Sequence, residues 1–384
     1  MTHHQPESKK TIRTFAIASF LNDLGSDIIY PIWPLFVTTV LKANMAVLGF
    51  LDGLGEALVS ISQAASGYVS DRIKKRKVFI WVGYLFGALS RIGYALSSIW
   101  PHLIPFRILD RSGKIRSAPR DAMVADVSTA KDRGKNFGLL RTADNLGAVF
   151  GILICIFLFR LIGYRLLFAL AAIPSLVSAS LIFLHIKEKT SGKIKIYKGI
   201  SLKDLDRDFA LFLALSSIFT LGAFSYSFLL ISAKEFGFKL VLIPVFYLIF
   251  TASASLFSYP FGRLSDKIGR KLLIFLSYFL WITVCILFIV SRKEWMIYLA
   301  FVLYGAHKGA LDPVQRTFVC ELAPLQFRAS CLGGFQMVLG LCAFPASFLA
   351  GVLWEIFGRH APFYLSLLLT GISGIMLIFV KHQK

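Results

Sequence analysis

The sequence predicts an all-α integral membrane protein with twelve transmembrane helices in two pseudo-symmetric six-helix bundles, and three observations carry that prediction. Hydrophobic residues fill 56% of the 384 positions and charged ones 16%, at a mean hydropathy of +0.69, outside the range of a soluble domain. Apolar runs of about 20 residues, long enough to cross a bilayer, recur through the whole length. A short glycine, aspartate and basic-residue pattern occurs twice in constant register. No stretch remains for a soluble catalytic domain. Cys155, Cys285, Cys320, Cys331 and Cys342 are odd in number, lie in or beside apolar runs and form no CxxC pair, which excludes a disulfide scaffold and a redox or metal motif.

A polar tail over 1–13 comes first; His3 and His4 in it are solvated, and no metal site is expected there. The first apolar run is too long for a signal peptide, carries acids and is followed by no small-residue cleavage pattern, so it reads as an uncleaved helix. Spans are placed at 14–41, 45–69, 78–98, 101–125, 137–160, 163–186, 208–232, 240–264, 271–291, 295–320, 331–357 and 361–380. Pro31 and Pro34 should interrupt the first of them. Twelve spans place both termini on one side, and the basic connections fall on alternate loops: Arg72 to Lys77, Lys131 to Lys135, Lys187 to Arg207, Arg263 to Lys271, and Arg328. Those loops and both termini are expected to face the cytoplasm, with about 25 Lys and Arg there, about 8 on the other side and about 9 within spans. Sidedness thus accounts for most of the formal charge of +21, and nucleic-acid binding is not implied. The lysine-rich stretch 187–207 reads as a polar cytoplasmic linker between a first bundle, 14–186, and a second, 208–380.

Gly67-Tyr-Val-Ser-Asp71-Arg72-Ile returns 195 positions later as Gly262-Arg-Leu-Ser-Asp266-Lys267-Ile. The same offset carries Asp126 onto Glu321, Arg133 onto Arg328, Gly138 onto Gly333, Gly163 onto Gly358 and Phe168 onto Phe363. A register held over about a hundred residues means two structurally equivalent halves in parallel orientation. Two six-helix halves joined by a cytoplasmic loop, with G-x-x-x-D-[RK]-x-G-R-[RK] after the second and eighth spans, resemble the major facilitator superfamily of secondary transporters over nearly the whole chain. The second copy, Gly262 to Lys271 with Gly269 and Arg270, is complete, whereas Lys74 stands at the second glycine of the first copy. The segments Phe20-Leu-Asn-Asp-Leu-Gly-Ser-Asp-Ile-Ile-Tyr-Pro-Ile-Trp-Pro-Leu35, Leu109-Asp-Arg-Ser-Gly-Lys-Ile-Arg-Ser-Ala-Pro-Arg-Asp-Ala122 and Arg133-Gly-Lys-Asn-Phe-Gly138 are similar to a prokaryotic branch of that superfamily whose members mostly lack an assigned substrate. The resemblance implies alternating access and a central cavity lined by the first helix of each helix triplet.

A charge in the hydrocarbon costs several kcal/mol and should face a cavity or a partner. Spans six, nine and twelve hold none in their interiors, while spans one, two, four, five and ten hold nearly all; Arg91 in span three is the exception. Asp23 and Asp27, four apart, share a helix face that Tyr30 continues. Carboxylates beside a proline-broken helix form a cation or proton site, and Asp52 and Glu56 repeat the spacing in span two; the bland alternative makes these four acids fixed partners of the span-four arginines. On span four, Arg107, Arg111 and Lys114 share one face and Arg116 and Arg120 another. Substrate contact is assigned to Arg107 and Arg111, and a gate or packing role to Arg116, Arg120 and Asp121. Lys308, Asp312 and Arg316 form a ladder at spacing four on span ten, with Lys308 outermost; His307 reads as packed. Arg141 and Asp144 on span five are grouped with the gate, and Gly147-Ala-Val-Phe-Gly151 with helix packing. At the ends of spans two and eight, Gly67, Asp71, Arg72, Gly262 and Asp266 read as a latch.

These residues predict a monomeric, proton-coupled inner-membrane transporter for a small polar, anionic, carboxylate-type solute. Substrate contact then falls to Arg107, Arg111, Lys308 and Tyr30. An exporter of lipophilic compounds, with 36 Phe for apolar walls, is the alternative, and a transporter-shaped receptor or assembly factor without flux a third. No P-loop, HExxH, GxSxG or Cys/His cluster occurs, so neither an enzyme nor a cofactor is expected.

Overall fold

The computed structural model describes residues 4–73, 75–129, 132–188, 206–324 and 328–381, with residues 4–7, 71, 133 and 329 described by backbone alone. It is all-α among these residues, and the chain divides into two compact units: Met1–Ala43 with Leu54–Tyr197, and Asn44–Gly53 with Lys198–Lys384. The linker expected over 187–207 lies for the most part outside the described residues, as does Lys74.

The first unit begins with α1 (His4–Ile29), which stops where Pro31 removes a backbone donor and pushes Tyr30 out of helical geometry. Span one then resumes as a short α2 (Trp33–Leu35) and a π-helical turn, Phe36–Val40. Next come α3 (Met45–Ile73), whose residues 45–53 belong to the second unit, and α4 (Lys77–Leu96). Span four is divided into α5 (Leu103–Ser112), a 3-10 turn at Gly113–Arg116 and α6 (Ser117–Val127). Spans five and six form α7 (Arg133–His185), reversed at Gly163, where φ of 72° is a conformation that suits glycine.

The second unit holds α8 (Arg207–Gly222) and α9 (Tyr226–Phe236), which together make span seven, and α10 (Ile243–Ile268), α11 (Arg270–Val290), α12 (Glu294–Leu322), α13 (Arg328–Phe357) and α14 (Ala361–Ile378). Gly358, 195 positions after Gly163, also has positive φ, 87°, and Phe168 and Phe363 are both buried. The duplication is therefore visible in backbone geometry as well as in letters.

Eight helical stretches are long and apolar enough to cross a membrane by length and composition, one of them the double-length 134–185. Spans one, four and ten are missing from that set because they are broken by proline or a 3-10 turn, or carry the charges that matter below. Counting them gives the twelve spans of a multi-pass membrane protein.

Close packing of α1 on α7 depends on Gly147 and Gly151: a Cβ there would lie 2.3 Å from the carbonyl oxygens of Phe20 and Leu24. Glycine at both places lets two backbones touch, the packing role that the GxxxG spacing predicts. In the second unit, His307 is buried against Trp281, with ring centroids 5.4 Å apart, and its Nδ1 lies 2.8 Å from Ser277 Oγ, so it is a packed residue.

The two units also repeat a joint. Arg76 at the start of α4 bonds Asp126, and Arg270 at the start of α11 donates to Glu321 at 3.0 Å. Asp126 and Glu321 match in the repeat, whereas the arginines are one position out of register. Beside the first, Glu188 accepts the backbone N–H groups of Arg76 (2.8 Å) and Lys77 (2.9 Å). Beside the second, Lys271 Nζ donates to the carbonyls of Ile378 (2.6 Å) and Val380 (3.0 Å). Each joint ties the end of the unit's last helix to the start of its third span, with opposite polarity.

Candidate functional site

The broken first span and the broken fourth span bring polar groups together inside the first unit. Asn22, Ser26 and Tyr30 of span one meet Gly87 and Arg91 of α4 and Asp110, Arg111, Lys114 and Arg116 of span four around a cavity of about 230 Å³ of empty space, part of it open to the outside. Both breaks are sequence features: Pro31 turns the chain just after Tyr30, and the 3-10 turn advances about 120° per residue where an α-helix advances about 100°.

That difference changes one assignment. Arg116 is expected on the packing face with Arg120, but the tighter turn rotates it onto the cavity wall beside Lys114. Its Nη1 donates to Gly113 O at 2.9 Å, and its guanidinium lies 5.0 Å from the Tyr84 ring. Arg111, 8% exposed, stacks its guanidinium 5.1 Å from the Tyr30 ring centroid, with Nη1 3.4 Å from Tyr30 Oη and Nε 3.5 Å from Asp110. A cation over an aromatic face is held by the ring quadrupole. Arg107 stands one turn away and off the cavity wall, 2% exposed and 4.4 Å from the ring of Trp33. Gly55 of α3 makes the space for both arginines, since a Cβ there would lie 3.1 Å from Arg107 Nε and 3.2 Å from Arg111 Nε.

Arg91 is the residue that sequence reasoning left without a role. It is 2% exposed and donates Nη1 to Ala171 O (2.9 Å) and Ser175, and Nη2 to Asn22 O (3.2 Å) and Ser26 Oγ (2.8 Å). It thereby ties α1, α4 and the second arm of α7, and Gly25 leaves it room, because a Cβ there would lie 2.2 Å from Arg91 Nη1. The signal was present: Arg91 is a cation in the interior of an otherwise uncharged span. Asn22 is the other omission. Its Oδ1 accepts from Ser175 Oγ at 2.9 Å and its Nδ2 donates to Asp23 at 2.9 Å, which links the cavity to the first expected coupling acid.

The two pairs of expected coupling acids have different surroundings. Asp23 and Asp27 are half-buried on α1, with Asp27 against Gly151 of α7. Asp52, 3% exposed, accepts from Ser225 Oγ at 2.6 Å, where Ser225 caps the start of α9, and Glu56 is exposed. The gate residues converge: Arg120 donates to Ser19 Oγ (2.7 Å) and Asp121 (3.1 Å) and lies 3.6 Å from Asp144, while Arg141 reaches Asp144 at 3.3 Å and Asp121 at 3.6 Å. Two cations and two acids alternate, so each acid serves both arginines.

In the repeated motif, Asp266 pairs with Arg270 at 2.5 Å, and Gly269 has φ of 96°. The side chain of Asp71 lies outside the described residues. Arg72 is exposed and donates to Tyr68 Oη at 3.3 Å. Gly67 has only an ordinary approach to Ala118, and Gly262 has open space where a Cβ would stand. Lys308 on α12 is half-buried, while Asp312 and Arg316 are exposed.

Two halves of six spans, broken helices in the first and seventh spans and a charged cavity in a membrane bundle define a transporter fold. The family model of the Major Facilitator Superfamily matches residues 15–257 and 245–384, and the chain belongs to that family. An uncharacterized MFS-type transporter of Methanocaldococcus jannaschii is 35% identical, covering 97% of this chain and 96% of the relative. A multi-drug resistance efflux pump of Streptococcus pneumoniae is 23% identical over 95% of this chain and 94% of its own. Among solved structures, that of a D-xylose–proton symporter superposes with a TM-score of 0.77 at 17% identity, covering 98% of both chains.

Proposed function

We propose that this transporter moves a small polar anion, of carboxylate type, by proton-coupled alternating access. The observation that carries the reading is Arg111 on the wall of the first-unit cavity, stacked on Tyr30 beside Lys114 and Arg116. Arginine's planar fork suits a carboxylate, and a cation-lined recess disfavours neutral lipophiles. Arg107 and Lys308 complete the set of substrate-facing cations expected from the sequence. Asp23, Asp27, Asp52 and Glu56 are the coupling candidates, with Asp23 linked to the cavity through Asn22. Asp71, Asp266 and the cluster of Arg120, Asp121, Arg141 and Asp144 act in gating. The protein works as a monomer in the inner membrane with both termini cytoplasmic, as the loop lysines and arginines favour.

The test is flux into proteoliposomes under an imposed pH gradient, with small carboxylates as solutes. Expected are gradient-driven accumulation that a protonophore abolishes and competition by anions but not by uncharged analogues. A cysteine placed within 187–198 should be shielded from impermeant reagents in intact cells; labelling from outside overturns the sidedness.

Export of lipophilic compounds is the second reading, favoured by the efflux pump among the relatives. It predicts that a neutral lipophile is the best substrate and that Arg111→Lys transports it normally.

A further inference from the structure

The first-unit cavity is unbalanced in charge. Arg91, Arg111, Lys114 and Arg116 line it, against Asp110 as the single carboxylate on its wall. The next acids stand off the wall: Asp23 accepts from the Asn22 amide through Oδ1, and Glu56 is exposed on α3, so each reaches the cavity cations only through space. Buried cations are stable when paired or hydrogen-bonded on all sides. Arg91 meets that condition through two carbonyls and two hydroxyls. Arg111 meets it in part, through Tyr30 and Asp110, and Lys114 less so. Arg111 Nε is buried without a hydrogen bond, its nearest acid oxygen standing 3.5 Å away, and Lys114 Nζ has no hydrogen bond or ion pair among the described residues.

The wall that carries these donors is stiff. A Cβ on Gly83 would lie 2.6 Å from Gly113 O, and one on Gly113 would lie 2.7 Å from Gly83 O, so α4 and the 3-10 turn are in backbone contact. The contact fixes the backbone that carries Lys114 and Arg116 before a ligand arrives, which favours a specific anion site. The space that a ligand could occupy is small and partly open, so a ligand that enters it must be compact.

We infer that this cavity is a binding site for a compact oxyanion, with Lys114 and Arg116 as ligand-contacting residues alongside Arg111. The inference rests on the proposed anion reading and names its site. Sulfate, phosphate and a short carboxylate share the chemistry: several oxygen acceptors and at least one full negative charge. The arms of the test separate them.

Purified full-length protein in detergent is titrated with sulfate, inorganic phosphate and succinate, with chloride matched for ionic strength, and thermal stability is followed. A ligand that binds the folded state raises its melting temperature in a saturable way. At least one of the three should do so above the chloride control, with apparent affinity lowered tenfold or more in Lys114→Gln and in Arg116→Gln. Lys114→Arg should bind like the parent, and Arg316→Gln on exposed α12 should match it too. Lys114→Gln removes a charge without stranding a partner, so its anion-free melt should stay close to the parent's. Saturable binding that both Gln variants retain overturns this site while leaving anion transport standing. A lack of saturable binding by all three anions also overturns it. The transport reading fails separately, if flux in proteoliposomes shows no anion dependence.

Discussion

Substituting alanine for glycine along α7 should change stability in opposite directions at two places on one helix. At Gly138 nothing lies within 4 Å of the Cβ position, so alanine adds helix propensity at no steric cost, a gain of about 0.5–1 kcal/mol. At Gly151 the same methyl would stand 2.3 Å from Leu24 O and 3.1 Å from Asp27 Cβ, where an ordinary contact begins at 3.4 Å. The helices α1 and α7 must part by about 1 Å along a seam that Gly147 also forms. Overpacking costs about 1–3 kcal/mol; a 2.3 Å approach to a backbone oxygen belongs to the upper part of that range, about 2–3 kcal/mol, and a propensity gain of about 1 kcal/mol leaves a net loss of about 1–2 kcal/mol. For a unit of this size that is a fall of roughly 2–8 °C in melting temperature, against a rise of a few degrees for Gly138→Ala. The assay is a thermal melt of each purified variant in the same detergent, with the parent alongside. If Gly151→Ala melts at or above Gly138→Ala, the close approach of α1 and α7 is wrong, and with it the placement of Asp27.

Arg111→Lys keeps the charge but loses the planar stack on Tyr30, so transport should fall about tenfold, the equivalent of 1.4 kcal/mol, with expression unchanged; undiminished flux would remove Arg111 from the substrate path. Glu188→Gln weakens two charge-assisted caps on α4 and should lower stability by about 1 kcal/mol, read as faster amide exchange at 77–80. Asp266→Asn breaks a pair whose acid side chain is 63% exposed, so stability should hardly change; a shift in cysteine accessibility at the same end of α10 is the signature of a latch, and unchanged accessibility counts against one. Asp27→Asn should abolish uphill accumulation while sparing exchange, and accumulation that persists in the variant refutes a coupling role.

Much of this architecture is legible in the letters because membrane spans leave few alternatives. Pro31 fixed the end of α1, and the 195-residue register anticipated the paired positive-φ glycines at 163 and 358. What was not legible depended on local geometry that periodicity averages away. A helical wheel drawn straight through span four puts Arg116 about 160° from Lys114; the 3-10 turn at 113–116 narrows that to about 120°, and both line the cavity. Arg91 stood out as a lone cation, but its four partners come from α1 and the far arm of α7, separations of 65 to 84 residues that no spacing rule reaches. The acids of spans one and two stand out by spacing, but the partners they take, Ser225 for Asp52 and Asn22 for Asp23, do not.

The opposite polarity of the two joints bears on how freely the end of each unit can drift. In the first unit a carboxylate side chain, Glu188, meets backbone N–H groups, so that position must keep its identity while the residues it caps can vary. In the second unit Lys271 meets the backbone oxygens of Ile378 and Val380, and every amino acid supplies such an oxygen. Although Leu377 and Val380 are buried, the exposed positions 378 and 379 between them are therefore open to diversification by library methods. The stretch around Glu188, which looks just as peripheral on a hydropathy plot, is not.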